Sequence, residues 1–393
     1  MRFLFKGLLC IFLCVTLLLP SSAGAEIVSQ VAADVEAQLV TAPSAILIER
    51  DSGQVLYELN ADERLHIASV TKTMTVLLAM EAIDSGKITL TDTVTTSEYA
   101  ASMGGSQVFL EVGEQMTVED MLKAIIISSG NDAAVAMAEH IAGAESAFVE
   151  LMNKRAKALG CKNTHFVNCN GLDETAEHYS SARDIAIISC ELLKHPKFTD
   201  YSTIWMDTLR NGEFGLSNTN KLIRFYNGAN GIKTGFTSEA KFCLAASAKR
   251  DGMQLVATVL AAPTSADRFS SATKLLDYGF ANYSVVNAAE KIGELAPLSV
   301  VGGKTETVIP AANPGCSFVV KKGNQDKIEI STIYDEPIKA PIKKGQKIGQ
   351  STLLINGEKV AVCDIESTQD IDRMNIATMF GKIMKIWLCA KAD

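Results

Sequence analysis

The sequence has no C-x-x-C pair and no Cys/His cluster, and its five histidines are scattered. No metal site and no cofactor are therefore expected. It also lacks a G-x-x-x-x-G-K-[ST] loop. The glycine-rich "GANGIKTG" (Gly228–Gly235) leads into a strand-like run rather than a helix, which argues against a nucleotide phosphate site. Positive charge is not in excess: the net charge is −8, and no basic run carries interleaved aromatics. Nothing favours a nucleic-acid partner.

Long apolar runs are also missing. The longest opens the chain, in "MRFLFKGLLCIFLCVTLLLPSSAGA". Arg2 and Lys6 form a basic start, Leu8 to Leu19 an apolar stretch too short to span a bilayer, and Ala23-Gly24-Ala25 a small-residue cleavage site. Residues 1–25 read as a secretory signal, so the mature chain is expected to be exported. Of the nine cysteines, Cys10 and Cys14 leave with that segment. The odd remainder (Cys161, Cys169, Cys190, Cys243, Cys316, Cys363 and Cys389) gives no disulfide framework. Cys161 and Cys169 could pair across a loop; most of the others read as small buried apolar residues.

What is present is a chain of 393 residues, 47% hydrophobic, long enough for two domains. "SAILIERDSGQVLYELN" reads as a hairpin turning at Asp51-Ser52-Gly53. "TVEDMLKAIIISSGNDAAVAMAEHIAG" holds two helical runs, the first capped by Thr117 and broken at Ser128-Ser129-Gly130-Asn131. Further helices are expected at 145–159, 182–195 and 265–279, and two strands flank Arg250-Asp251-Gly252. The order implies an α+β domain with a largely antiparallel sheet. After about residue 285, short β-like runs punctuated by Gly and Pro imply a small all-β domain at 286–366. In the tail, 367–393, Ile376, Met379, Phe380, Ile383, Met384 and Trp387 share one helical face, with Lys382 and Lys385 off it. That pattern suits a helix lying on a membrane surface.

Three short segments carry chemistry. In "SVTK", Ser69 and Lys72 are one helical turn apart. A serine at a helix start lies in a positive field, and a desolvated lysine there could accept its proton. Alone, the segment also fits a capping serine with a surface lysine. In Ser129-Gly130-Asn131, a second hydroxyl could relay a proton and the Asn131 amide could both donate and accept; alone it is a turn. In Lys233-Thr234-Gly235, a fixed positive charge and a hydroxyl suit a carboxylate, and Gly235 permits close backbone approach; alone it is a hairpin edge.

S-x-x-K, S-D-N and K-T-G together mark penicillin-binding proteins and class A β-lactamases. All three occur here in order, with Gly130 in place of Asp. The chain resembles the low-molecular-mass penicillin-binding proteins of the D-alanyl-D-alanine carboxypeptidase type, over about residues 30 to 285. "SAILIERDSGQVLYELNADERLHIASVTK", "GGSQVFLEVGEQMTVEDMLKAIIISSGNDAA", "HYSSARDIAIIS" and "RFSSATKLLDYGF" support it.

The resemblance implies a β-lactamase/transpeptidase-like α+β domain over 26–285, an antiparallel sheet flanked by helices with a helical subdomain. It implies that Ser69 attacks the carbonyl between two terminal D-alanines of a peptidoglycan stem peptide, with Lys72 as base. Ser129 and Lys233 would pass the proton to the leaving D-alanine, and Asn131 would orient the substrate. The backbone N–H groups of Ser69 and Phe236 would form the oxyanion hole, and Thr234 and Arg268 would bind the terminal carboxylate, Arg268 indirectly. Gly104, Gly105 and Ser106 would border the site. Asp184 matches a loop position near it, but also fits a helix N-terminal charge. Phe236 departs from relatives that often carry His there, which points to altered substrate preference. β-Lactams would be covalent inhibitors. The implied place is the outer face of the bacterial cytoplasmic membrane. The alternatives are a β-lactamase, disfavoured because no E-x-x-L-N lies between Asn131 and Lys233, and a non-catalytic peptidoglycan-binding envelope protein.

Overall fold

The computed structural model describes residues 39–172 and 175–389. The expected signal segment and the lead-in residues 26–38 lie outside the described residues.

Strands β1 (Ser44–Glu49) and β2 (Val55–Leu59) form the expected hairpin. They join β3 (Ala229–Thr237), β4 (Lys241–Arg250) and β5 (Met253–Ala262) in an antiparallel sheet ordered β2-β1-β5-β4-β3. All six residues of β1 and nearly all of β5 are buried. Strands that apolar must be covered on both faces. Helix α6 (Ser265–Asn282) packs on β5 and β4, and α5 (Ala182–Leu192) on β1 and β5. Strand β3, which carries Lys233-Thr234-Gly235, forms one edge of the sheet.

The helical part is built round α1 (Lys72–Asp84), which is buried on almost every side. Around it pack α2 (Val118–Ile127), α3 (Asn131–Ala142) and α4 (Glu145–Ala158). Thr117 caps α2 as expected, its hydroxyl accepting from Asp120 N at 3.1 Å. Ser69 caps nothing. The chain enters α1 through a 3-10 turn, Ala68–Thr71, and no side chain caps either element. The cap reading of "SVTK" is thereby corrected.

Helix α6 runs three residues past the expected end and passes straight into β6 (Tyr283–Asn287). The second apolar cluster extends from Val286 to Ile371. It holds β7 (Pro310–Ala312), β8 (Ser317–Lys321), β9 (Ile328–Tyr334), β10 (Lys347–Ile355) and β11 (Glu358–Ser367). Strand β6 pairs with β8, and the other four form an antiparallel sheet ordered β7-β11-β10-β9. The chain continues into α7 (Ile376–Cys389), on which Ile376, Met379, Phe380, Ile383 and Met384 are exposed. Among the described residues no helix is long and apolar enough to cross a membrane.

Candidate active site

Ser69 sits on the 3-10 turn immediately after Ala68, whose φ is 48°. Gly171, at φ 80°, is what lets a neighbouring loop press against that bend: a Cβ there would stand 1.9 Å from the Ala68 carbonyl oxygen. From the other side, a Cβ at Gly235 would stand 2.7 Å from Ile67 O and 3.1 Å from Ser69 N. The serine is thus held between a glycine of a loop and a glycine of the sheet edge.

Lys72 is fully buried. Its Nζ lies 2.9 Å from Ser69 Oγ, 2.5 Å from Asn131 Oδ1 and 2.7 Å from the Asn170 carbonyl. Burial lowers its pKa to about 7, against smaller opposing influences of Cys169 and Asp132. The neutral amine has two N–H groups and one lone pair. Asn131 Oδ1 and Asn170 O can only accept, so they take the two N–H groups. The lone pair is left for the one partner with a proton to give, the Ser69 hydroxyl.

The break between α2 and α3 supplies the second segment. Ser129 is buried with φ 64°, and Gly130 stands at the helix start, where a Cβ would lie 2.9 Å from Asp132 Oδ1. The Asp132 carboxylate accepts from Val108 N and Leu110 N, fastening the loop that runs from Gly104. Asn131 Nδ2 donates to Gly104 O and Asn131 N to Ser106 O, both at 2.7 Å. A side chain at Gly105 would meet Asn131 Nδ2 at 2.8 Å. Gly104, Gly105 and Ser106 therefore do border the site, by fixing the amide. Both ends of that amide are engaged within the protein, at Lys72 and Gly104, so here Asn131 orients the amine.

On β3, Lys233 is buried and donates to Thr234 O at 3.1 Å. Burial, then Lys72, then Arg268 hold it well below the ordinary lysine value. Those surroundings disfavour the charged form of the amine. Thr234 Oγ1 donates to Thr219 Oγ1 at 2.7 Å. Phe236 is exposed, its ring 4.4 Å from that of Phe242. Arg268 Nη1 donates to Gly235 O (2.9 Å) and Cys243 O (3.3 Å), and burial depresses its pKa. Its guanidinium braces the strand behind the threonine, which fits an indirect part.

Asp184 belongs to the first turn of α5, where it accepts from Asn163 N (2.6 Å) and Thr164 Oγ1 (2.7 Å). The helix-terminal reading holds. The Cys161 thiol points to Asp184 O, whereas Cys169 lies beside Glu145 and Lys72, and both are free thiols. The pairing across the loop that their spacing allowed is not made.

Three residues of the site carried no signal in sequence. Asn170 meets Lys72 through a backbone carbonyl, which no side-chain motif reports. Thr219 partners Thr234. His178 is buried with Nε2 2.7 Å from Thr71 Oγ1, and its Nδ1 accepts from Val167 N.

A family model described as D-alanyl-D-alanine carboxypeptidase matches residues 30–264, and one described as the C-terminal domain of penicillin-binding protein 5 matches 280–373. The D-alanyl-D-alanine carboxypeptidase DacF of Bacillus subtilis is 47% identical over 352 residues, 88% of this chain and 90% of that protein. The DacC carboxypeptidase of Escherichia coli is 37% identical, covering 83% of each. Penicillin-binding protein 5 of Haemophilus influenzae superposes with a TM-score of 0.77 at 34% identity, over 85% of this chain and 98% of that one. Penicillin-binding protein D2 of Listeria monocytogenes, solved in its ampicillin-bound form, gives 0.56 at 31% identity, over 61% and 98%.

Proposed function

The chain belongs to the D-alanyl-D-alanine carboxypeptidase family of serine hydrolases, and from that premise we propose how its residues divide the reaction. The substrate is a peptidoglycan stem peptide ending in D-Ala-D-Ala. Neutral Lys72 takes the Ser69 proton as Oγ attacks the penultimate carbonyl. The backbone N–H groups of Ser69 and Phe236 receive the oxyanion. Ser129 and Lys233 return the proton to the departing D-alanine nitrogen, leaving an ester on Ser69. Water then attacks the ester, again with Lys72 as base, and restores the serine.

The observation that carries this reading is the buried amine whose two other partners can only accept. Lys233 and the Thr234–Thr219 hydroxyl pair support a carboxylate subsite: an incoming anion would favour the charged form of Lys233 that burial disfavours. As the last strand of its sheet, β3 suits an extended peptide adding as a further strand. A β-lactam would acylate the same serine, a reading supported by the ampicillin-bound Listeria relative. The test is incubation with a pentapeptide ending in D-Ala-D-Ala. Loss of one alanine, abolished in Ser69→Ala, is expected. An unchanged peptide alongside labelling by fluorescent penicillin would refute the carboxypeptidase assignment.

We further propose that the chain is exported and works at the outer face of the cytoplasmic membrane, with α7 lying on the bilayer. Support comes from the exposed run Ile376, Met379, Phe380 and Ile383. The full chain should float with anionic vesicles, and Phe380→Glu should stay in the soluble fraction.

A further inference from the structure

Two cysteines of the β domain play no part in this chemistry. Ala312 of β7 pairs with Ile365 of β11, and Asn313 N donates to Asp364 O at 2.9 Å. Cys316 N then donates back to Asn313 O at 3.1 Å, closing a turn over β11. The Cys316 thiol points to Val362 O at 3.6 Å, and the Cys363 thiol to Asn313 O at 3.8 Å. Each sulfur is aimed at backbone beside the other cysteine.

Their exposures differ. Cys363 is buried, and burial together with the Cys316 thiol pushes its pKa up to about 12. Cys316 is half-buried and lines a groove of about 590 Å³ shared with Asp51, Ser52, Gln54 and Lys359. One sulfur can meet a reagent from solution, and the other waits beneath it.

We propose that Cys316 and Cys363 form a reversible disulfide, made by exchange with a small-molecule disulfide that enters this groove. The Cys316 thiolate attacks one sulfur of the reagent and expels the first thiol, forming a mixed disulfide. Cys363 loses its proton to water and attacks the Cys316 sulfur, expelling the second thiol. Two protein thiols and one external disulfide become one protein disulfide and two external thiols. The bond ties the turn before β8 to β11, cross-linking two segments that the sequence separates by the whole of β8, β9 and β10. It lies outside the Ser69 site, so it tunes the β domain rather than the hydrolysis.

The test uses the full chain, reduced, freed of reductant and exposed to oxidised glutathione. The product should lose the mass of two hydrogens, and digestion without reductant should yield one peptide joining Cys316 to Cys363. The thermal midpoint should rise, and added dithiothreitol should reverse both changes. Cys363→Ser should instead retain one glutathione on Cys316, and Cys316→Ser should take up nothing at position 363. Penicillin labelling of Ser69 should be the same in both redox forms. The proposal is overturned if wild type keeps a glutathione on Cys316. It fails equally if both cysteines remain alkylatable after denaturation. Peptide mapping of the wild-type chain alone decides the matter should either variant not fold.

Discussion

The Asn131 amide oxygen accepts from the Lys72 amine at 2.5 Å, while its nitrogen is fixed on Gly104 O. The amide cannot flip without losing both bonds, so it always presents an acceptor to the lysine. That constraint directs the lone pair of the neutral amine at Ser69.

A pH profile should follow from the Lys72 value of about 7. The base form prevails above that pH. Acylation by a chromogenic cephalosporin should level off there and fall roughly tenfold per unit below it. Lys72→Arg keeps the charge but not the ability to lose it, so acylation should drop about 10²- to 10⁴-fold at every pH. A flat wild-type profile from pH 5.5 to 8.5 would exclude Lys72 as the titrating base.

Gly235→Ala tests the fit of the sheet edge to the nucleophile turn. The added Cβ would lie 2.7 Å from Ile67 O and 3.1 Å from both Ser69 N and Val70 N. All three are backbone atoms, so β3 or the turn must shift. A displacement of that order should cost at least about a hundredfold in acylation. The variant should remain folded, which circular dichroism would show.

His178 should matter through Thr71, the residue between Ser69 and Lys72 that its ring holds at 2.7 Å. Its Nδ1 accepts from Val167 N, so Nε2 carries the proton that Thr71 receives. His178→Ala removes the tie from the nucleophile turn, and acylation should fall roughly threefold to tenfold. His178→Gln can still donate to Thr71 and should recover most of the rate. Stopped-flow acylation of the two variants compares them directly.

These examples mark what was legible in the sequence. Strands β4 and β5 could be read because both are long apolar runs on either side of an Asp-Gly turn. The α2–α3 break could be read from Ser-Ser-Gly-Asn. The entry into α1 was misread because Ser69 occupies the place of a cap, whereas the chain there makes a 3-10 turn after a positive φ at Ala68. Asn170 and His178 are 98 and 107 residues from their partners. Such contacts are set by packing, and local spacing holds no record of them. The join at Asn282–Tyr283 was blurred for a different reason: helix passes into strand with no Gly or Pro between them.

Phe236 should affect substrate choice more than acylation chemistry. Its side chain is exposed and rests on Phe242, while its proposed part in the reaction is a backbone N–H. Phe236→Ala removes an apolar wall without moving that N–H. KM for a pentapeptide should rise roughly tenfold, with acylation by a small penicillin within about twofold of wild type. Equal losses for both would show that the ring shapes the oxyanion site itself.

Burial of Lys72 should also appear in the dependence of stability on pH. The ordinary lysine value is 10.5 and the folded one about 7. Between them the unfolded chain holds a proton that the folded chain has given up. Stability should therefore rise with pH across this window, by up to about 1.4 kcal/mol per unit for one proton. The penalty is full below about pH 7 and relieved on approaching 10.5. Lys233, also depressed, pushes the same way. Lys72→Met removes one such group and leaves the other titrations in place. Urea unfolding at pH 7.5 and 9.5 should show wild type gaining on the variant as pH rises. Parallel curves would mean that Lys72 keeps its proton in the folded site, and the assignment of its lone pair to Ser69 would fall with it.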